Sequence, residues 1–82
     1  MIVKPLSAET TLTANTTVSL ATVVRLYNSG SGAHVITNVD TGNSFTMPGG
    51  SISFMVKSPT DEVSTDGTGS EIKATSIAYT VS

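Results

Sequence analysis

The apolar residues of this chain fall in short, β-branched groups separated by Gly, Asn, Asp or Pro, and no window repeats them at i, i+3, i+4, i+7 over three turns. That spacing leaves pleated sheet as the way to bury them. The intervals are filled by mediocre helix formers, with 14 Thr and 12 Ser among 82 residues. Strands are expected near residues 2–6, 10–14, 17–20, 22–27, 34–39, 44–47, 51–57 and 71–81, the last with a bend or bulge near Thr75. The expected fold is all-β: a small single-domain antiparallel β-sandwich or partly closed barrel of about seven to eight short strands, with little or no helix.

A chain of 82 residues makes one domain, 1–82, with residues 1–6 as an N-terminal arm or as the first strand. Folding buries only a little over ~60% of the surface that such a chain exposes when unfolded. The sequence contains no Cys for a disulfide or a thiolate metal site. Association is the usual remaining source of stability, so a homo-oligomer or a docked subunit is expected. Net charge is −2, and the basic residues Lys4, Arg25, Lys57 and Lys73 are scattered. Nucleic acid, which requires a concentrated positive face, is not an expected partner. Nor is a membrane, since no apolar run approaches the ~20 residues of a span. The opening Met-Ile-Val-Lys-Pro-Leu is too short and too soon polar to read as a signal peptide.

Alternation assigns faces. Ile52, Phe54 and Val56 share one side of their strand and Ser51, Ser53, Met55 and Lys57 the other, the pattern of a half-buried strand. Thr22, Val24 and Leu26 oppose Val23, Arg25 and Tyr27, which suits a central strand. The turn chemistry suggests a meander of four strands. Asn28-Ser29-Gly30-Ser31-Gly32 would close a first hairpin and Asp40-Thr41-Gly42-Asn43 a second. Pro48-Gly49-Gly50 would then turn the chain back into 51–57. The polar stretch 58–70 reads as an exposed loop, the first place to look for contacts.

Groups capable of chemistry are few. Asp40-Thr41-Gly42 is similar to the tripeptide that carries the carboxylate of homodimeric aspartic proteases, and 35–39 is a fair apolar lead-in. However, Asn43 follows where a small apolar residue is usual, and no Ile-Ile-Gly-like segment lies downstream. A turn accounts for the same residues. The run Asp61-Glu62-Val63-Ser64-Thr65-Asp66-Gly67 could offer oxygens to Ca²⁺, yet it lacks the alternating spacing and closing Glu of an EF-hand loop, and a solvated loop is the simpler account. His34 is the only histidine, has no Cys beside it, and reads as a surface or edge residue. One histidine cannot activate 26 hydroxyls, and no Gly-x-Ser-x-Gly elbow or phosphate loop occurs. Asn15-Thr16-Thr17 is formally a glycosylation sequon. Tyr27, Phe45 and Tyr79 are the rings that a glycan-binding module would have to present, without any Trp to help. No catalytic, cofactor or metal residue is assigned, and no small-molecule substrate is expected.

Four segments carry a resemblance. Val23-Val24-Arg25-Leu26-Tyr27-Asn28, Val35-Ile36-Thr37, Phe45-Thr46-Met47-Pro48-Gly49-Gly50 and Val56-Lys57-Ser58-Pro59-Thr60-Asp61-Glu62-Val63 follow one another as in a class of small virion proteins of tailed bacteriophages, notably marine and cyanobacterial ones. The chain resembles that class over nearly its whole length, although Ser51 stands after the Pro-Gly-Gly turn where the class carries a charge. The resemblance implies a virion structural protein, most simply a capsid decoration or cement subunit. A neck, tail or fibre accessory subunit and a glycan-binding adhesion module are the alternatives, and the aspartic protease through Asp40 is a remote one. Its partners would be further copies and the major capsid protein or other virion proteins. Met1, Ile2, Val3, Lys4, Pro5 and Leu6, together with Pro59, Thr60, Asp61, Glu62 and Val63, would make the contacts.

Overall fold

In the computed structural model, residues 2–66 and 71–80 are described. Eight strands follow in order: β1 (Ile2–Pro5), β2 (Thr10–Thr11), β3 (Val23–Asn28), β4 (His34–Asn38), β5 (Ser44–Met47), β6 (Ile52–Val56), β7 (Val63–Thr65) and β8 (Ile72–Thr80). Every pairing is antiparallel, and no α-helix occurs among the described residues. One sheet runs β1-β8-β3-β6 with β2 also paired to β8, and the other runs β5-β4-β7. The two form an open sandwich rather than a closed barrel. Leu12, Val24, Leu26, Ile36, Met47, Val63 and Ile72 fill the space between them at 1% exposure or less. Each such side chain contributes roughly 1.5–3 kcal/mol of burial.

The four-strand meander is not what forms. β3 pairs with β6 and β8 in one sheet, while β4 pairs with β5 and β7 in the other. Only the β4–β5 hairpin of the expected series exists. The glycine-rich segments after β3 and after β5 are corners at which the chain changes sheet. Asn28 holds both corners: its buried side-chain amide donates to Gly32 O at 2.8 Å and Met47 O at 3.1 Å, and its Oδ1 accepts from Gly30 N–H at 3.0 Å. Turn residues look alike in a hairpin and in a corner, and the buried Asn decides between them.

Three further expectations change. Residues 17–20 form a left-handed turn, with Val18, Ser19 and Leu20 at φ 52°, 57° and 57° and the Ala21 N–H bonded to Thr17 O at 3.2 Å. The hydroxyls of Thr16 and Thr17 accept from the N–H groups of Val18 and Leu20 at 3.0 and 3.2 Å, and Val18 is buried. The stretch 58–70 is not all loop, since it contains β7, and Val63 belongs to the core. β8 runs unbroken through Thr75. Its pairing partner changes instead, from β2 and β3 over 72–76 to β1 over 77–80.

Candidate interaction surface

β6 is an edge strand with its apolar side turned out. Ile52, Phe54 and Val56 are 50%, 45% and 75% exposed, while Ser53, Met55 and Lys57 face inward. The half-buried strand expected from the sequence is present, and the side it turns out is the Ile52, Phe54 and Val56 side. The cause is register: Met55 and Ser53 lie opposite the buried Val24 and Leu26, whereas Val56, Phe54 and Ile52 lie opposite the outward Val23, Arg25 and Tyr27. Both faces of the β6 pattern could bury something, and only the partner strand selects one. Arg25 on this outer face is bonded to Glu9 at 3.3 Å.

The backbone of β6 points the same residues at open space. Asn28 N–H donates to Ser51 O at 3.0 Å and Lys57 N–H to Thr22 O at 2.9 Å, which fixes the phase of the ladder. Odd residues of β6 therefore turn their N–H and C=O toward β3, and Ile52, Phe54 and Val56 turn theirs to the other edge. Among the described residues no strand pairs with that edge. The groove it borders, of about 540 Å³, separates β6 from β5. Phe45, Met55 and Val56 supply its apolar lining, and Asn38, Lys57 and Asp61 lie among its polar residues. Phe45 shares the inward face of its sheet with Ile36 yet stays 37% exposed, because the sandwich is open here.

Lys57 follows this edge strand but does not guard it. The residue is 7% exposed, and its Nζ donates to the carbonyls of Ser58 and Pro59 at 3.2 and 3.4 Å. Burial pushes its pKa down, opposed by the nearby carboxylates of Asp61 and Asp40. The opposite edge differs. Of the two expectations for residues 1–6, an arm or a first strand, the described Ile2–Pro5 is the strand β1 and pairs with β8, and its exposed Lys4 and Pro5 are residues that discourage further pairing. Leu6 is 58% exposed beside it.

The other contact candidates are partly structural. Pro59 and Thr60 are exposed, Asp61 and Glu62 half-buried and Val63 buried, so Val63 offers no surface. Asp61 Oδ2 accepts from Ser58 N–H and Asn38 Nδ2 at 3.1 and 3.2 Å, which shapes the loop from within. Met1 and residues 67–70, 81 and 82, and with them part of the acidic run, lie outside the described residues.

Asp40 sits in an exposed turn and accepts from Glu62 N–H at 2.7 Å, while Asn38 Oδ1 accepts from the N–H groups of Asp40 and Thr41. Gly42 follows at φ 77°. His34 is neither at the surface nor on an edge: it is 8% exposed on the central strand β4. Its Nδ1 lies 3.0 Å from Asp66 Oδ1, and its Nε2 bonds Glu71. The hydrogen bonds to Glu71 and then Asp66 raise its pKa, and Asp66 is held below the usual carboxylate range by His34 and by Val35 N–H. Neither the apolar surface of β6 nor this clamp was foreseen. The clamp joins residues over 30 apart in sequence, and local spacing gives no sign of it.

Tyr27 and Phe45 lie on different sheets, so these two rings do not make one platform. The Tyr79 side chain lies outside the described part. The arrangement defines a class: an open two-sheet sandwich with an apolar edge that no described strand covers. In comparisons with known proteins no family model matches, and no curated protein or solved structure matches either.

Proposed function

We propose that this chain is a structural subunit of a tailed-phage particle, a capsid decoration or cement protein that acts by protein–protein association. The observation that carries the reading is β6, an unpaired edge whose three outward residues are large and apolar. Scattered exposed apolar residues are ordinary, but three in register on an unprotected edge are what an associating surface requires. The sequence resemblance supplies the setting, and repetition over many copies on a shell would multiply a modest affinity. A chain of −2 net charge with Arg25 paired and Lys57 buried also suits a protein partner better than a phosphate backbone.

The test is a binding assay on assembled phage shells and tail complexes, with size-exclusion chromatography and light scattering on the isolated chain. Saturable binding to shells is expected. A monomer that binds neither shells nor tails would sink the reading.

A further inference from the structure

The observations on β6 also identify what covers it. We propose that β6 pairs antiparallel with β6 of a second copy about a twofold axis at Phe54, joining two five-stranded sheets edge to edge. This deepens the association reading by naming a partner, and it requires no phage particle.

The strand is self-complementary. Reversed about Phe54, the sequence Ile52-Ser53-Phe54-Met55-Val56 sets Phe54 against Phe54 and Ile52 against Val56 in both directions. The residues whose backbone groups face the open edge are Ile52, Phe54 and Val56, so each opposite pair would exchange both of its hydrogen bonds. Their side chains would meet on one face as an aromatic pair flanked by β-branched pairs, cross-strand contacts of the kind that stabilise sheets. Ser53 and Met55 would meet on the other face.

Charge permits the approach. From Ile52 to Val56 the seam carries no ionisable group. The nearest, Lys57, falls opposite Ser51 of the second copy and has its ammonium turned back onto its own loop. A lysine on an edge strand ordinarily prevents such pairing, and burial has removed this one from that task. The other edge of the same sheet retains Lys4 and Pro5, so the two edges of one sheet differ in kind. A pairing of identical surfaces closes on itself and adds no filament. The seam is short against the roughly 800 Å² per partner of a stable complex, so the dimer should depend on concentration.

Sedimentation equilibrium on the full chain, from about 1 μM to about 1 mM to span the affinities of so short a seam, reads the association directly. A reversible monomer–dimer equilibrium is expected. Val56→Lys, at the most exposed position, should shift it to monomer with an unchanged circular dichroism spectrum. The chain has no cysteine, so single replacements report register. Paired Cα atoms about 5.5 Å apart can form a disulfide, and Phe54→Cys should cross-link under mild oxidation. Ile52→Cys, more than about 13 Å from its copy in this register, should not. The pairing is overturned if the unmodified chain stays monomeric throughout, if Val56→Lys still dimerises, or if Ile52→Cys cross-links as readily as Phe54→Cys. A chain that dimerises in this register but binds neither shells nor tail complexes upholds the pairing and refutes the phage reading. A monomer that binds shells does the reverse.

Discussion

Asn28 and the turn at 18–20 show how much of this fold rests on single residues. Replacing Asn28 by Ala leaves Gly32 O, Met47 O and Gly30 N–H without their partner at a buried corner. Orphaned buried groups cost about 1–3 kcal/mol each and do not add fully, so a loss of about 3 kcal/mol is expected in urea unfolding. Asn28 is legible in sequence only as a turn former, because its burial depends on two corners 19 residues apart. The turn is the opposite case. Left-handed L-residues cost roughly 1–2 kcal/mol each, and here burial of Val18 and the hydroxyls of Thr16 and Thr17 offset the strain. Ser19 is exposed at φ 57°, so Ser19→Gly should raise stability by about 1 kcal/mol after allowing for the freer unfolded chain. A lower urea midpoint would show that the Ser19 side chain has a role beyond its backbone.

At the scale of elements, the His34 clamp ties β4 to Asp66 after β7 and to Glu71 before β8. Because its folded pKa is raised, His34 adds stability that is complete below its unfolded value of about 6.5 and is lost as pH rises through the folded value. Asp66 has a lowered folded pKa, so its contribution is present above about 3.9 and is lost as pH falls through the folded value. Urea midpoints should therefore decline on both sides of an interval from mildly acidic to neutral pH. In His34→Gln the alkaline-side decline should flatten; an unchanged profile would remove His34 as its cause. Gly30 supplies a finer test, since a Cβ there would overlap the Glu71 carboxylate. Displacing that flexible side chain in Gly30→Ala should move the His34 imidazole pKa, followed by NMR, down toward 6.5. Strand existence was legible in alternation at this scale, and β3 was read correctly as central, the structure adding that Val24 and Leu26 are its inward side. For β6, alternation separated the two faces and left open which one a neighbouring strand covers. β7 was hidden because three residues in a polar stretch are too few to show a period.

For the whole molecule, the decisive fact is that two unequal sheets share one core. Leu12 and Ala21 pack in the same cluster as residues of β3, β4, β5, β7 and β8, so neither sheet retains a buried face without the other. The all-β class was legible from strand count and turn spacing, with sandwich and partly closed barrel both left open by the same alternation. The 5+3 division was not legible, because sheet membership is decided where chains cross between layers, at Asn28 and at Pro48-Gly49-Gly50, where local turn chemistry is unchanged. A shared core implies one cooperative transition, with tyrosine fluorescence and far-ultraviolet circular dichroism coinciding. The sheets' edges imply a gradient within that transition. Amides of β3 are bonded on both sides, to β6 and to β8, and should exchange only through global unfolding. Those of Ile52, Phe54 and Val56 point to an unpaired edge and should exchange rapidly in dilute monomer. Hydrogen exchange with residue resolution checks both. Protection of the three β6 amides at the lowest concentrations would mean that the edge is covered within the chain, while slow exchange on β3 lost independently of β4 would mean that the two sheets do not share their stability.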